Sequence, residues 1–250
     1  MLPVVFQADP GTSWAGSIAA CMEYPHNRPY TADDLVRIIT LLRDPVNGCP
    51  WDKVQTHTSI RMNFLEEAYE AVDALDLDDP VLMCEELGDV LMQVAFHTCM
   101  EQETGRFTWE QVCDGVCQKL IERHPNIFGT QPGYEGITDW DALKNKEKGR
   151  RTLADDLESV PRAMPALMRA AKLQKRAARH GAALQGADVV ALADAAENLQ
   201  TAQPASAQAE QAVGELLFAA ANLARQAGVD PEQALQKANE AFCTAAGPVA

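Results

Sequence analysis

Two short acidic patterns carry the chemistry most plainly. Glu66, Glu67 and Glu70 form Glu-Glu-x-x-Glu, and Glu86 with Asp89 forms Glu-x-x-Asp sixteen residues further on. On a helix the first three fan over roughly 100° of surface and make one acidic face. That face alone is what any solvated helix can show. The second pair enters the run Val90 to Phe96, which is apolar nearly all round and predicts a buried helix. Ionised carboxylates are rarely buried without partners, and each close like-charged pair costs roughly 2 to 4 kcal/mol at an effective dielectric of about 20. Residues 62 to 105 contain no lysine or arginine to offset this. A bound divalent cation is the economical compensation, and an all-oxygen donor set favours magnesium, with manganese as a substitute, over zinc.

The elements that must position these groups are helical. Apolar periodicity predicts helices over 32–43, 58–76, 81–103, 108–123, 139–149, 161–180, 187–200, 207–227 and 231–243, and no alternating strand pattern stands out. Start signals agree: Thr31 with Asp34, Asp79 with Pro80, and Thr108 with Gln111. The expected fold class is all-α, a helical bundle in which the two acidic patterns lie on consecutive antiparallel helices joined by Asp76 to Pro80. Breakers cluster at 44–50 and 129–136, and 201–206 is rich in Ala, Gln, Pro and Ser. The chain divides into an irregular extension over 1–30, a helical domain carrying the acidic residues over 31–150, and a second helical domain over 151–250. Leu87-Gly88-Asp89-Val90-Leu91-Met92 is echoed by Val213-Gly214-Glu215-Leu216-Leu217-Phe218, which suggests tandem helical units. Ala212 stands where Glu86 stands in the first copy, and only Asp194, Glu197 and Glu215 fall near the other acidic positions, so the second copy is read as degenerate.

Composition narrows the partners. A net charge of −15 and a pI near 4.7 disfavour the phosphate backbone of nucleic acid and anionic membranes. The N-terminus lacks the pattern of a signal peptide, and no run of about 20 apolar residues occurs, so a soluble cytoplasmic protein is expected. Seven cysteines in 250 residues fit a reducing compartment better than a disulfide scaffold. Cys113 and Cys117 are one turn apart without the companions of a zinc site and are read as packing residues.

The acidic spacing resembles the signature of the all-α nucleoside triphosphate pyrophosphohydrolases, and the surrounding residues narrow the likeness to the MazG family. The stretches that match are Gly48-Cys49-Pro50-Trp51-Asp52 with Gln55-Thr56-His57, Glu66-Glu67-Ala68-Tyr69-Glu70, Glu85-Glu86-Leu87-Gly88-Asp89, Phe96-His97, and Arg123-His124-Pro125 with Phe128-Gly129. The likeness runs from about 35 to 150. It extends into the second half through Leu167-Met168-Arg169-Ala170-Ala171-Lys172-Leu173-Gln174 and Asp230-Pro231-Glu232-Gln233-Ala234-Leu235.

This resemblance implies that Glu67, Glu70, Glu86 and Asp89 hold magnesium and that Glu66 acts on the attacking water. It implies water attack at the α-phosphorus of a nucleoside triphosphate, releasing pyrophosphate and a monophosphate, in a homodimer that cleans the nucleotide pool. Lys119 with Arg123, and Lys144 with Lys148, are pairs one turn apart in regions where the family contacts nucleotide, and they are candidate triphosphate donors. Trp140 matches a family tryptophan near the nucleotide and could stack on the base. Asn63 completes the expected nucleotide-binding set.

Trp51 and His57 are read as structural, His97 as a satisfied core histidine, and His124 as a turn residue. Asn126 stands where the family usually has a second histidine. Two other readings compete: a dimeric helical scaffold, binding nucleotide or not, that needs no metal, and a ferritin-like di-metal oxidase. The latter needs Glu-x-x-His on bundle helices, and the one match, Glu23 to His26, contains Pro25.

Overall fold

The computed structural model describes residues 23–26, 28–125, 127–129, 140–182 and 184–247. Among them the secondary structure is helical, and the all-α expectation holds. The chain separates into two compact units, Met1–Gly136 and Ile137–Ala250. No helix among the described residues is long and apolar enough to cross a membrane.

The first unit contains α1 (Ala32–Leu42), a 3-10 turn (Asp52–Val54), α2 (His57–Leu77), α3 (Pro80–Glu103) and α4 (Trp109–Arg123). Capping boxes start three of these helices: Thr31 with Asp34, Thr56 with Ser59, and Thr108 with Gln111. Asp79 caps α3 by accepting from the Val81 and Leu82 amides, and Pro80 occupies the first turn, where its missing N–H costs nothing. The α2–α3 hairpin turns on Asp78, which takes the left-handed conformation at φ 53°. The core gathers Ile39, Ile60, Ala95, Phe96, Cys99, Met100 and Trp109. It sits against the C-terminal half of α3 and the N-terminal half of α2.

The loop between α1 and α2 is held by polar contacts. Arg43 pairs with Glu103 through Nε and Nη2 at 2.5 and 2.8 Å and donates from Nη1 to the Asp52 and Gln55 carbonyls. Its guanidinium also lies 5.3 Å from the Phe96 ring centre.

The other half of the hairpin departs from expectation. The helix bearing Glu86 and Asp89 was expected to be buried nearly all round, yet only its second half, from Gln93 to Glu101, is enclosed. Val81, Leu87 and Leu91 are exposed, as are Tyr69, Val72 and Leu75 on α2. Apolar periodicity marks a face that prefers contact without naming what supplies it, and within this chain nothing among the described residues covers these side chains.

The second unit contains α5 (Trp140–Glu147), α6 (Leu153–Glu158), α7 (Ala166–Arg179), α8 (Val189–Thr201), α9 (Ala207–Gln226) and α10 (Pro231–Ala246). The helix expected over 161–180 forms as α7 and starts five residues later than expected, at Ala166, while α6 before it falls between the expected helices. Pro165 sets the boundary: it disfavours a helical residue before it, and α7 begins just after it. Helix α9 carries the echo of Leu87 to Met92 and packs against α8 as a hairpin. Ala212 is buried there, and Asp194 and Glu215 line an open cavity of about 690 Å³ with Gln185, Gly186, Gly214 and Phe218. The expected extension over 1–30 lies largely outside the described residues. The six cysteines among the described residues are free thiols, with Cys99 in the core and Cys113 against it.

Candidate active site

The acidic residues come together across α2 and α3. One carboxylate oxygen from each of Glu67, Glu70 and Glu86 lies within 4.8 Å of the others, and among the described residues this is the one such cluster of three potential metal ligands. Helical geometry explains the convergence. Glu67 and Glu70 are three residues apart and share a face of α2, and the antiparallel α3 brings Glu86 alongside. Asp89 is not within the trio, but its charge acts on both Glu67 and Glu86, so it borders the same site. Glu66 is exposed, and its charge reaches Glu67.

The electrostatics mark the cluster as unsatisfied. Burial pushes the Glu67 carboxyl above the usual carboxylate range, and the charges of Asp89, Glu70 and Glu66 add to this, while a hydrogen bond from Gln93 opposes it. Glu86 is likewise raised, by loss of water first and then by Glu70, Asp89 and Glu85. Glu66, Glu67, Glu70, Glu86 and Asp89 gather in a part of the first unit where residues 62 to 105 supply no lysine or arginine. The donor set is all oxygen, as a hard divalent cation requires.

In the sequence Gln93 reads as part of an apolar run. Its side-chain Nε2 donates to Glu67 Oε1 at 3.4 Å. The available signal was a single polar residue four positions after Asp89, hence on the same face of α3.

A second polar network lies further along the hairpin. His57 and His97 meet through Nδ1 at 2.7 Å with nearly parallel rings, and His57 Nε2 is 2.5 Å from Glu101 Oε1. Arg106 pairs with Glu101 at 2.6 Å. The reading of His97 as a satisfied histidine holds, and the edge of Phe64 packs against it. Trp51, read as structural, stands half exposed.

The remaining expected contacts are dispersed. Asn63 is half-buried on α2, one turn before Glu67. Lys119 is exposed and Arg123 half-buried on α4. His124 donates its Nδ1–H to the Leu120 carbonyl at 2.7 Å, as a turn residue would. Lys144 and Lys148 are exposed on or just after α5, in the second unit. Trp140 opens α5, and its side chain lies outside the described residues, as does Asn126.

Comparison with known proteins agrees with the geometry. Residues 55–128 match the MazG nucleotide pyrophosphohydrolase domain, a span that contains every residue of the acidic cluster. The chain is 41% identical over 219 residues to the nucleoside triphosphate pyrophosphohydrolase of Escherichia coli (strain K12), covering 84% of this chain and 83% of that protein. It is 39% identical over 212 residues to the nucleoside triphosphate pyrophosphohydrolase/pyrophosphatase MazG of Thermotoga maritima, covering 84% and 82%. A nucleoside triphosphate pyrophosphohydrolase of Mycobacterium tuberculosis is 35% identical over 151 residues, 59% of this chain and 46% of that protein. The chain belongs to the MazG family of nucleoside triphosphate pyrophosphohydrolases.

Proposed function

We propose that this protein hydrolyses nucleoside triphosphates to the monophosphate and pyrophosphate at the acidic cluster between α2 and α3. The observation that carries the reading is the convergence of Glu67, Glu70 and Glu86 within 4.8 Å, without a basic partner in the surrounding sequence, inside the span that matches the MazG domain. In this reading Glu67, Glu70, Glu86 and Asp89 hold magnesium, for which manganese can substitute. The cation supplies attraction for the triphosphate oxygens and for the charge that develops as the phosphoanhydride breaks. In the same reading Glu66, exposed beside Glu67, orients or deprotonates the attacking water.

Asn63, Lys119, Arg123, Trp140, Lys144 and Lys148 are the proposed nucleotide contacts. An acidic protein of net charge −15 needs such local donors for a polyanionic substrate. The exposed apolar side chains Tyr69, Val72, Leu75, Leu87 and Leu91 support a homodimer that covers them. The N-terminal helical domain over 31–150 is the proposed catalytic part, with a degenerate second domain over 151–250. A cytoplasmic role in clearing unwanted nucleotides accompanies the activity.

The test is incubation with a panel of nucleoside triphosphates, with and without magnesium, while pyrophosphate and monophosphate are measured. Magnesium-dependent pyrophosphate release that Glu67→Ala and Glu70→Ala abolish is the expected result. Release of inorganic phosphate, or turnover that both substitutions leave intact, would discard the mechanism. No turnover by the unaltered protein would favour a non-catalytic helical scaffold.

A further inference from the structure

We propose that Gln93 is a positioning residue that fixes the carboxylate of Glu67 for the divalent cation, and so sets the affinity of the site. The inference rests on the reading of the acidic cluster as the cation site. Gln93 lies on α3 one turn beyond Asp89 and is only 7% exposed. Its amide nitrogen faces Glu67 Oε1 at 3.4 Å, while its amide oxygen is enclosed and has no hydrogen-bond partner.

Burying an amide oxygen without a donor costs free energy, and a hydrocarbon side chain of equal length would fill the same space without that cost. Stability of the fold therefore does not explain the glutamine. Its remaining contact does: the N–H is a neutral donor directed at a carboxylate that has no lysine or arginine nearby in sequence. Glu67 is otherwise free to swing away from Glu70 and Glu86, with which it shares the 4.8 Å cluster and whose charges it repels. One hydrogen bond from a packed side chain restricts that freedom before the cation arrives. Groups that orient metal ligands in this way are worth roughly 10- to 100-fold in metal affinity, and the 3.4 Å distance places Gln93 at the low end.

The test uses the full chain and manganese ions, with free Mn2+ counted by electron paramagnetic resonance. Four proteins are titrated: the unaltered chain, Gln93→Met, Glu67→Gln and the double variant. Gln93→Met is expected to weaken binding about tenfold, the low end of that range. At saturating metal its substrate KM should stay unchanged. In the Glu67→Gln background the same substitution should have no further effect, because Gln93 acts through Glu67. Equal binding by Gln93→Met and the unaltered chain overturns the proposal and leaves the cation site standing. An equal loss in both backgrounds also overturns it, since a general disturbance of packing would act regardless of Glu67. If the unaltered chain binds no manganese, the cation reading itself fails and takes this proposal with it. Gln93→Leu serves in place of methionine should that variant not fold, with the same outcomes.

Discussion

His57 and His97 face each other Nδ1 to Nδ1 at 2.7 Å, with ring centres 5.0 Å apart and the far nitrogen of His57 on buried Glu101. Such a contact needs one donor and one acceptor, so at most one of the two facing nitrogens carries a proton. Burial, and then the charge of His57, hold His97 below the ordinary histidine range. The unfolded chain therefore binds more protons than the folded one below about pH 6.5, and stability falls as pH drops through that value. We expect the melting temperature to decline between pH 7 and 5.5 and the decline to be smaller in His97→Gln. Circular dichroism melts at several pH values check this. Parallel slopes for the two proteins would show that the histidine pair does not carry the effect.

The acidic cluster makes the opposite kind of prediction, one about what the metal-free protein gains by losing charge. Glu67 sits above its usual range because of burial and its acidic neighbours, so making it neutral removes repulsion from the folded state. Glu67→Gln should raise the melting temperature measured in chelator. It should also shrink the increase that magnesium gives the unaltered protein, without removing cation binding altogether, and reduce turnover by at least about 100-fold. A variant that melts lower in chelator and responds to magnesium as fully as the unaltered protein would remove Glu67 from the ligand set.

Much of this site was legible because its signals are local. Glu-Glu-x-x-Glu and Glu-x-x-Asp each put their carboxylates on one helical face, and the turn from Asp76 to Pro80 made the two helices antiparallel neighbours. The helix starts at Thr31, Asp79 and Thr108 were legible for the same reason. The misses are of other kinds. Helix α6, with six residues, is too short to show periodicity, although Thr152 and Asp155 spell its capping box. The burial of α3 was overestimated because an apolar run reports preference for contact, and Leu87 and Leu91 have that preference without a partner in this chain. Gln93 was hidden because its role depends on a residue 26 positions away. The link from His57 to Glu101 spans 44 positions and was out of reach of spacing arguments for the same reason.

Gly48 shows a constraint imposed by backbone rather than by side chains. A Cβ added there would lie 2.4 Å from the Asp44 carbonyl oxygen and 2.5 Å from that of Leu42. The approach exists because the Gly48 amide donates to Asp44 and the Cys49 amide to Leu42, folding the loop back on the end of α1. Gly48→Ala should therefore cost about 1–3 kcal/mol in a urea unfolding titration. Gly88→Ala is the control, since a Cβ there meets nothing within 4 Å. Alanine in place of a helix-interior glycine should leave the isolated chain no less stable, by roughly 0.5–1 kcal/mol in its favour. Equal effects at the two positions would mean that the loop relaxes around the added methyl group.

Two adjacent aspartates in the second unit should differ in the same assay. Asp155 is exposed and caps α6, accepting from the Thr152 and Arg151 amides. Asp156 is 1% exposed and gathers Arg176, Arg179 and His180 around it, with Arg176 also donating to the Asp156 carbonyl. Burial pushes the Asp156 carboxyl upward. Hydrogen bonds from Asn145, Arg179 and His180, together with the Arg176 charge, outweigh this and hold it below its usual range. Its contribution is present at neutral pH and is lost as pH falls below about 4. Removing the exposed carboxylate costs a cap, about 1 kcal/mol. Removing the enclosed one leaves Arg176, itself buried, without its counter-charge, and breaking such a pair costs about 3–5 kcal/mol. Urea titrations of Asp155→Ala and Asp156→Ala at neutral pH should separate them by that margin. Similar losses would mean that water or Asp155 takes over the partnership with Arg176 when Asp156 is gone.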